Sequence, residues 1–403
     1  MSESPYSTQV PVAASVPARQ PVRRLWCAVL LGYLALGASL QVLPTYVTTR
    51  FHGGPVLAGV AVGIAFLATA LCRPIAGRIA DAGHARPVVI IGGLATALGG
   101  IGQYAAGQFA EPGVPVLLLA RLVMGAGEAA LFSGAQPWVM TGVPQARRGR
   151  FAGWFGLSMW CGLAGGPVLA LALTGWFGAD AVWWGIVGSS VASALLVLIT
   201  RQLSCKDGHR SWFPGSWREL VPVGATLPGF GLGLAAFGYG TINALLVLFL
   251  RDSRFGGDSI ALAIFAVGFF AARAFGSPLV DVHGGARVAR ITLLAEAAGL
   301  TVIACAPNAV VALLGTALAG LGLGLIYPAT VSMTLHRTRS SGVGASVGVM
   351  TSFWDLGVMI AGPVGGLLAA GPGFRAAFAT AVLVALGAWC TALILARPEA
   401  AGP

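Results

Sequence analysis

The sequence predicts an all-α integral membrane protein with twelve transmembrane helices, six in each of two related halves. Three observations carry that prediction. Of the 403 residues, 57% are hydrophobic and 9% charged, whereas about a quarter of a soluble domain is charged. The apolar residues fall into runs of roughly twenty, the length that crosses a bilayer core as a helix. A charged, Gly-punctuated stretch, Arg73–Pro87 (RPIAGRIADAGHARP), recurs as Arg273–Arg287 (RAFGSPLVDVHGGAR). Arg73 and Asp81 reappear as Arg273 and Asp281, each displaced by 200 residues (273 − 73 and 281 − 81). Two copies of one turn at one offset describe a chain built twice.

Residues 1–21 are rich in Pro, Ser, Ala and Val without helical period and predict a disordered cytoplasmic tail. Arg23 and Arg24 then precede a first apolar run at about 25–47, too long for a signal-peptide core and read as a retained span. Further runs follow at about 56–79, 88–108, 114–140, 151–174 and 180–200. After a polar interval they resume at about 220–250, 259–280, 288–306, 308–335, 343–370 and 374–396. The chain therefore divides into an N-terminal half, 22–200, a cytoplasmic linker, 201–219, a C-terminal half, 220–397, and a tail, 398–403.

Loop charge sets the orientation. The turns on one side carry Arg78 and Arg86, then Arg147, Arg148 and Arg150, then Arg201, Lys206, Arg210 and Arg218. Later turns on that side add Arg287, Arg290, Arg337, Arg339 and Arg397. The opposite loops hold only Arg50, Arg251, Arg254 and Arg375, partly offset by Glu111, Asp180, Asp252 and Asp258. A multi-pass protein of the plasma membrane with both termini in the cytoplasm is expected.

The net charge of +11 does not imply nucleic acid, because the arginines are scattered between spans and form no continuous basic face. The six cysteines stand singly, with no C-x-x-C pair, and all but Cys205 lie in apolar runs and read as small buried filler. The five histidines lie in or near loops without metal-ligand spacing. No phosphate-binding G-x-x-x-x-G-K-[ST] run is present and the chain has one lysine, Lys206. These features predict neither an enzyme nor an ATP-driven pump. An ion gradient, with no bound cofactor or metal, is the expected energy source.

The G-x-x-x-D-x-x-x-x-R spacing of Gly77, Asp81 and Arg86 resembles the loop between the second and third helices of major facilitator transporters. Here Ala82 stands where that family usually has a basic residue, and the turn Gly falls at 83. The fifth span carries Gly153, Gly162, Gly166 and Pro167, and the eleventh repeats the theme with Gly357, Gly362 and Pro363. The fifth-span version is similar to the segment associated with proton-coupled export in that superfamily. The fourth-span segment Arg121, Gly125, Gly127 and Glu128 resembles its R-x-x-x-G-x-G stretch.

The resemblance covers nearly the whole chain. It implies two pseudo-symmetric six-helix bundles that rock about a midplane site, working as a monomer on a small-molecule substrate. Glu128, Asp355 and Arg121 are the expected proton-coupling residues, since ionisable groups within a span are costly and usually mark a substrate or proton path. Arg121 and Glu128, seven residues apart, share a helix face, and Arg121 is expected to tune Glu128 or to bind an anionic substrate group. Glu296 is a weaker candidate, because the family places its helix towards lipid. Arg73, Gly77, Asp81, Arg86, Arg273 and Asp281 are expected at a cytoplasmic gate. Gln41, Trp138, Tyr239, Asn243 and Tyr327, on spans that line the cavity in the family, are expected to meet substrate.

The function implied is proton-coupled efflux of a small organic molecule. A proton-coupled importer of a sugar or metabolite shares the architecture, and a non-transporting membrane sensor is the alternative from another class.

Overall fold

The computed structural model describes residues 21–109, 113–140, 145–200, 223–337 and 343–396, without the side chains of 81, 145–153, 277, 281, 335 and 343–345. The linker 201–219, Arg397, the predicted tails except Pro21, and the side chains of Asp81 and Asp281 therefore lie outside the described residues. Among the described residues twelve helices are long and apolar enough to cross a membrane. They are α1 (Val22–Arg50), α2 (Pro55–Ile79), α3 (Ala85–Ala106), α4 (Gly113–Met140), α5 (Gln145–Phe177) and α6 (Ala181–Leu198) in the first half. The second half has α7 (Val223–Asp252), α8 (Asp258–His283), α9 (Gly285–Cys305), α10 (Ala309–Arg337), α11 (Val343–Ala370) and α12 (Phe374–Leu395).

Each helix forms because an uninterrupted apolar run must satisfy its backbone internally in lipid. Short connections make neighbours antiparallel, so α1 starts, and α2 ends, at what is called here the basic end. The charged stretch is shorter as a turn than its sequence suggests. Helix α2 continues to Ile79, and the reversal is a single wide helical turn at Ala80–His84. Gly83 makes it possible with φ of +93°, a left-handed backbone that costs little only without a Cβ. Arg73 is thus a residue of the helix interior.

Helix pairing repeats from one half to the other. In the first half α1 packs on α5 and α6, α4 on α2 and α3, and α3 on α6. Adding six to each index gives the pairs of the second half: α7 on α11 and α12, α10 on α8 and α9, and α9 on α12. The halves meet chiefly through α2 on α11 and α5 on α8, which are themselves related by the same shift.

Small residues set how closely the helices approach. A Cβ at Gly162 or Gly166 would run into the backbone of α1 at Leu30, Gly37 and Ala38, so the fifth-span glycines clamp α5 to α1. Gly357 does the same for α11 against Gly233 of α7. Gly362 serves another contact, because it lies against Gly59 of α2, in the opposite half. Gly153 falls where only the helical backbone is described. Pro167 and Pro363 lie inside α5 and α11.

The outer surface is apolar, with Leu71, Ile91, Leu119, Phe275 and Leu383 exposed, as lipid contact requires. The cysteines correct their expectation. Cys27, Cys305 and Cys390 are exposed on that surface, and Cys72 and Cys161 are half-buried. The small side chains of Cys27, Cys305 and Cys390 occupy helix faces turned outward rather than core gaps.

Candidate functional site

A buried charge cluster joins the two halves near mid-membrane. Glu128 and Asp355 each lie twelve residues (140 − 128 and 355 − 343) from the basic end of their helices, or ~18 Å at the rise of an α-helix. Arg73 reaches between them from α2. Its Nε donates to Asp355 Oδ2 at 2.5 Å and an Nη donates to Oδ1 at 3.2 Å, the two-pronged geometry that gives a guanidinium–carboxylate pair its strength. The same Nη lies 3.6 Å from Glu128 Oε1. All three side chains are almost fully buried, at 8%, 1% and 5% exposure for Arg73, Asp355 and Glu128. Arg73 and Glu128 belong to the first half and Asp355 to the second, so one cation stands between an acid of its own bundle and an acid of the other.

Two hydroxyls complete the surroundings of Glu128. Thr69 Oγ lies 3.2 Å from Glu128 Oε2 and 3.0 Å from the carbonyls of Ala65 and Gly125. A hydroxyl has one proton to donate, so Thr69 serves either the carboxylate or one of the carbonyls at a time. Tyr33 donates to the Glu128 main-chain carbonyl at 3.3 Å.

Arg121 is engaged elsewhere. It is fully buried, and its Nε donates to the Ala61 carbonyl at 2.8 Å. Its Nη groups donate to Val62 O and Ser39 Oγ, both at 3.3 Å. Ser39 in turn donates to Gln103 at 2.8 Å. This network ties α4 to α1, α2 and α3 inside the first half. Seven residues along one face point Arg121 and Glu128 the same way, but α2 supplies carbonyls for the first and Arg73 for the second. Arg73, assigned from its sequence to a gate, takes the place beside Glu128 expected of Arg121.

Next to the cluster is an aromatic cage. Trp160 of α5 is its hub, with ring centroids 5.0 Å from Trp354, 5.3 Å from Phe269 and 5.3 Å from Tyr327. Tyr239 lies 5.3 Å from Trp354. Arg273, the repeat of Arg73, sits 5.4 Å from the ring centroids of Trp160 and Tyr327 and donates to the Gly324 carbonyl at 3.1 Å. The cation is held over aromatic faces, a different setting from its counterpart in α2.

Between the halves a cavity remains, lined by Trp160, Tyr239, Asn243, Leu262, Phe265 and Phe269 among others. Its volume is about 10 Å³, close to the minimum for one water molecule, so in this conformation it has no room for a substrate. The far end is shut by the α2–α11 glycine contact and by Gln41, whose amide donates to the Ser259 carbonyl across the halves at 3.2 Å.

Of the residues expected to meet substrate, Tyr239 and Asn243 line this cavity and Tyr327 packs at a tilt against Trp160 of its wall. Gln41 lies at the inter-bundle closure, and Trp138 is buried outside the cavity lining. Trp160, Phe265 and Phe269 were not anticipated. Their only signal in the sequence is an aromatic residue in an apolar run, which ordinary packing also produces.

Gly77 is half-buried near the Ser133 carbonyl. Arg86 donates to the Leu198 carbonyl at the end of α6 at 2.5 Å. Glu296 departs from its expected lipid-facing position. It is 1% exposed in α9, lies against Gly238 of α7, and neither carboxyl oxygen has a hydrogen-bond partner among the described residues. A glycine at 238 leaves a slot into the bundle that the carboxyl fills.

Comparison with known proteins agrees with this architecture. The family model described as Major Facilitator Superfamily matches residues 25–228 and again 228–403. An uncharacterised transporter of this type from Salmonella typhimurium is 32% identical over 376 residues, covering 90% of this chain and 93% of that protein. One from Burkholderia mallei is 27% identical over 371 residues, covering 91% and 90%. Among solved structures, the Escherichia coli fucose:proton symporter superposes with a TM-score of 0.64 at 16% identity, covering 94% of this chain and 99% of that one. A nucleoside transporter reaches 0.70 at 12% identity, covering 93% and 100%. At such identities the likeness concerns the fold. The doubled family match and the repeated helix pairing make the same statement: this chain belongs to the major facilitator superfamily of transporters.

Proposed function

We propose that this transporter is driven by protons, and that Arg73 couples their movement to rocking of the bundles. The observation that carries the reading is the position of one guanidinium between Glu128 and Asp355, in opposite halves. With both acids ionised the trio carries one net negative charge, and a buried net charge is expensive. One proton makes the trio neutral. With the bundles closed on each other here, the occluded state of the cycle, Arg73 holds Asp355 across the interface. When the bundles separate there, Arg73 keeps Glu128, the acid of its own bundle. Asp355, left behind in the other, takes up a proton or meets a cationic group of the substrate. Return to the occluded state expels that charge. The hydroxyl of Thr69 gives Glu128 a partner in either protonation state, donating to a carboxylate or accepting from a carboxylic acid.

Aromatic faces and the amide of Asn243 suit a small organic molecule with an apolar or aromatic body and a hydrogen-bonding group. Export is the favoured direction, on the likeness of the Gly162–Pro167 segment to antiporters. The arginine-rich turns support a reading with the basic end in the cytoplasm of a plasma-membrane protein. Import by symport shares every element of the proton cycle and differs only in the direction of flux.

The test is proton flux in inverted vesicles, read with a pH-gradient dye over a panel of organic cations, zwitterions and sugars. Wild type is compared with Glu128→Gln and Asp355→Asn. A compound that dissipates the gradient in wild type and in neither variant supports antiport through these acids. Concentrative transport by both variants at the wild-type level would remove them from the coupling mechanism.

A further inference from the structure

A second cavity, of about 500 Å³, opens at the basic end of the second half. It is lined by the end of α8, the start of α9 and the ends of α10 and α12. Arg287, Arg290, Arg337, His283 and His336 all contribute to its wall, and no carboxylate does so among the described residues. The start of α9 adds its own donors. It has no side-chain cap and no acidic residue in its first turn, so its first amide N–H groups face this corner with the positive end of the helix dipole. Arg290 is steadied along α9 by an Nε bond to the Ala286 carbonyl at 3.4 Å, which leaves four of its N–H donors for a ligand.

The first half handles the same corner differently. There Arg86, the nearest counterpart of Arg287, folds onto the Leu198 carbonyl at the end of α6. The position 200 residues before Arg290 is Ile90. A cavity of this size lies within the range of ligand sites, and converging guanidinium groups with a helix N-terminus form a phosphate site.

We propose that this corner binds a phosphate group, supplied either by the headgroup of an anionic phospholipid at the membrane surface or by free phosphate in solution. Position at the membrane edge gives both sources access.

The experiment uses the full-length protein purified from membranes and reconstituted in discs of phosphatidylcholine with a tenth phosphatidylglycerol. Mass spectrometry of the intact protein reads the lipid retained after detergent release, with and without 10 mM inorganic phosphate. A direct binding measurement with radiolabelled phosphate accompanies it. The Arg287→Gln/Arg290→Gln variant is compared with Arg24→Gln, which removes an exposed charge at the same end. Elution as a single monodisperse peak checks that each variant is folded. One retained phosphatidylglycerol, lost at least tenfold in the double variant only, supports a headgroup site. Saturable phosphate binding that displaces the lipid and is lost in the same variant supports a free-phosphate site. Retention and phosphate binding that are equal in all three proteins, or absent from wild type, would overturn the proposal.

Discussion

The Arg73–Asp355 pair should behave as a buried ion pair whose removal from one side costs more than removal from both. The perturbation is a double-mutant cycle with Arg73→Met and Asp355→Leu, two apolar replacements of similar reach. Breaking a buried pair from one side typically costs about 3–5 kcal/mol, because the surviving charge is left without compensation. The two single variants should not be equal. Arg73 faces two acids, at 2.5 and 3.6 Å, so Arg73→Met strands both carboxylates and should fall at the upper end. Asp355→Leu leaves Arg73 beside Glu128. At 3.6 Å that attraction is about 5 kcal/mol for an effective dielectric near 20, before desolvation is subtracted, so this variant should lie at or below the lower end. The double variant leaves only Glu128 with its Thr69 partner and should recover about 2–3 kcal/mol relative to additivity.

The assay is reversible unfolding in mixed micelles with increasing sodium dodecyl sulfate, followed by tryptophan fluorescence. Transport is measured on the same preparations. The double variant should be the more stable of the charge-deleted proteins that lack Arg73, yet inactive, which separates a stability role from a coupling role. A cycle with no coupling energy, or an Arg73→Met variant as stable as Arg24→Gln, would refute the ion-pair reasoning.

Other expectations concern single residues. Glu128→Gln keeps a hydrogen-bonding group beside Thr69, so the protein should fold while its transport loses dependence on the proton gradient; a counterflow assay that remains active beside a lost uphill flux identifies this outcome. Gly59→Val places a branched side chain against the Gly362 backbone and should destabilise the protein by about 1–3 kcal/mol, seen in the same unfolding assay, with transport reduced as well. Glu296→Met removes a carboxyl without a hydrogen-bond partner among the described residues and should raise stability by about 1–3 kcal/mol; a loss of stability would mean that the acid has a partner of another kind. Trp160→Ala opens the aromatic cage and should weaken substrate binding at least tenfold in an equilibrium binding assay with any compound found to be transported.

The sequence by itself determined the class of this protein and its doubling. Runs of apolar residues long enough to span lipid admit only helices, and the repeat of Arg73 and Asp81 at Arg273 and Asp281 marks two halves. Both properties are local in the chain and follow from the solvent and the period. The fifth-span glycines were legible for the same reason, since a stripe of small residues on one face can serve only close approach. Which charge meets which was decided by tertiary structure. Arg73 and Asp355 are 282 positions apart, and nothing in either segment names the other. Arg121 and Glu128 share a face, but a face says nothing about the neighbour packed against it; α2 presents carbonyls to one and a guanidinium to the other. The same holds for Trp160, Glu296 and the basic corner of α9. In an apolar span, a side chain turned to lipid and one turned to a partner helix have the same sequence context, and only the packing of twelve helices separates them.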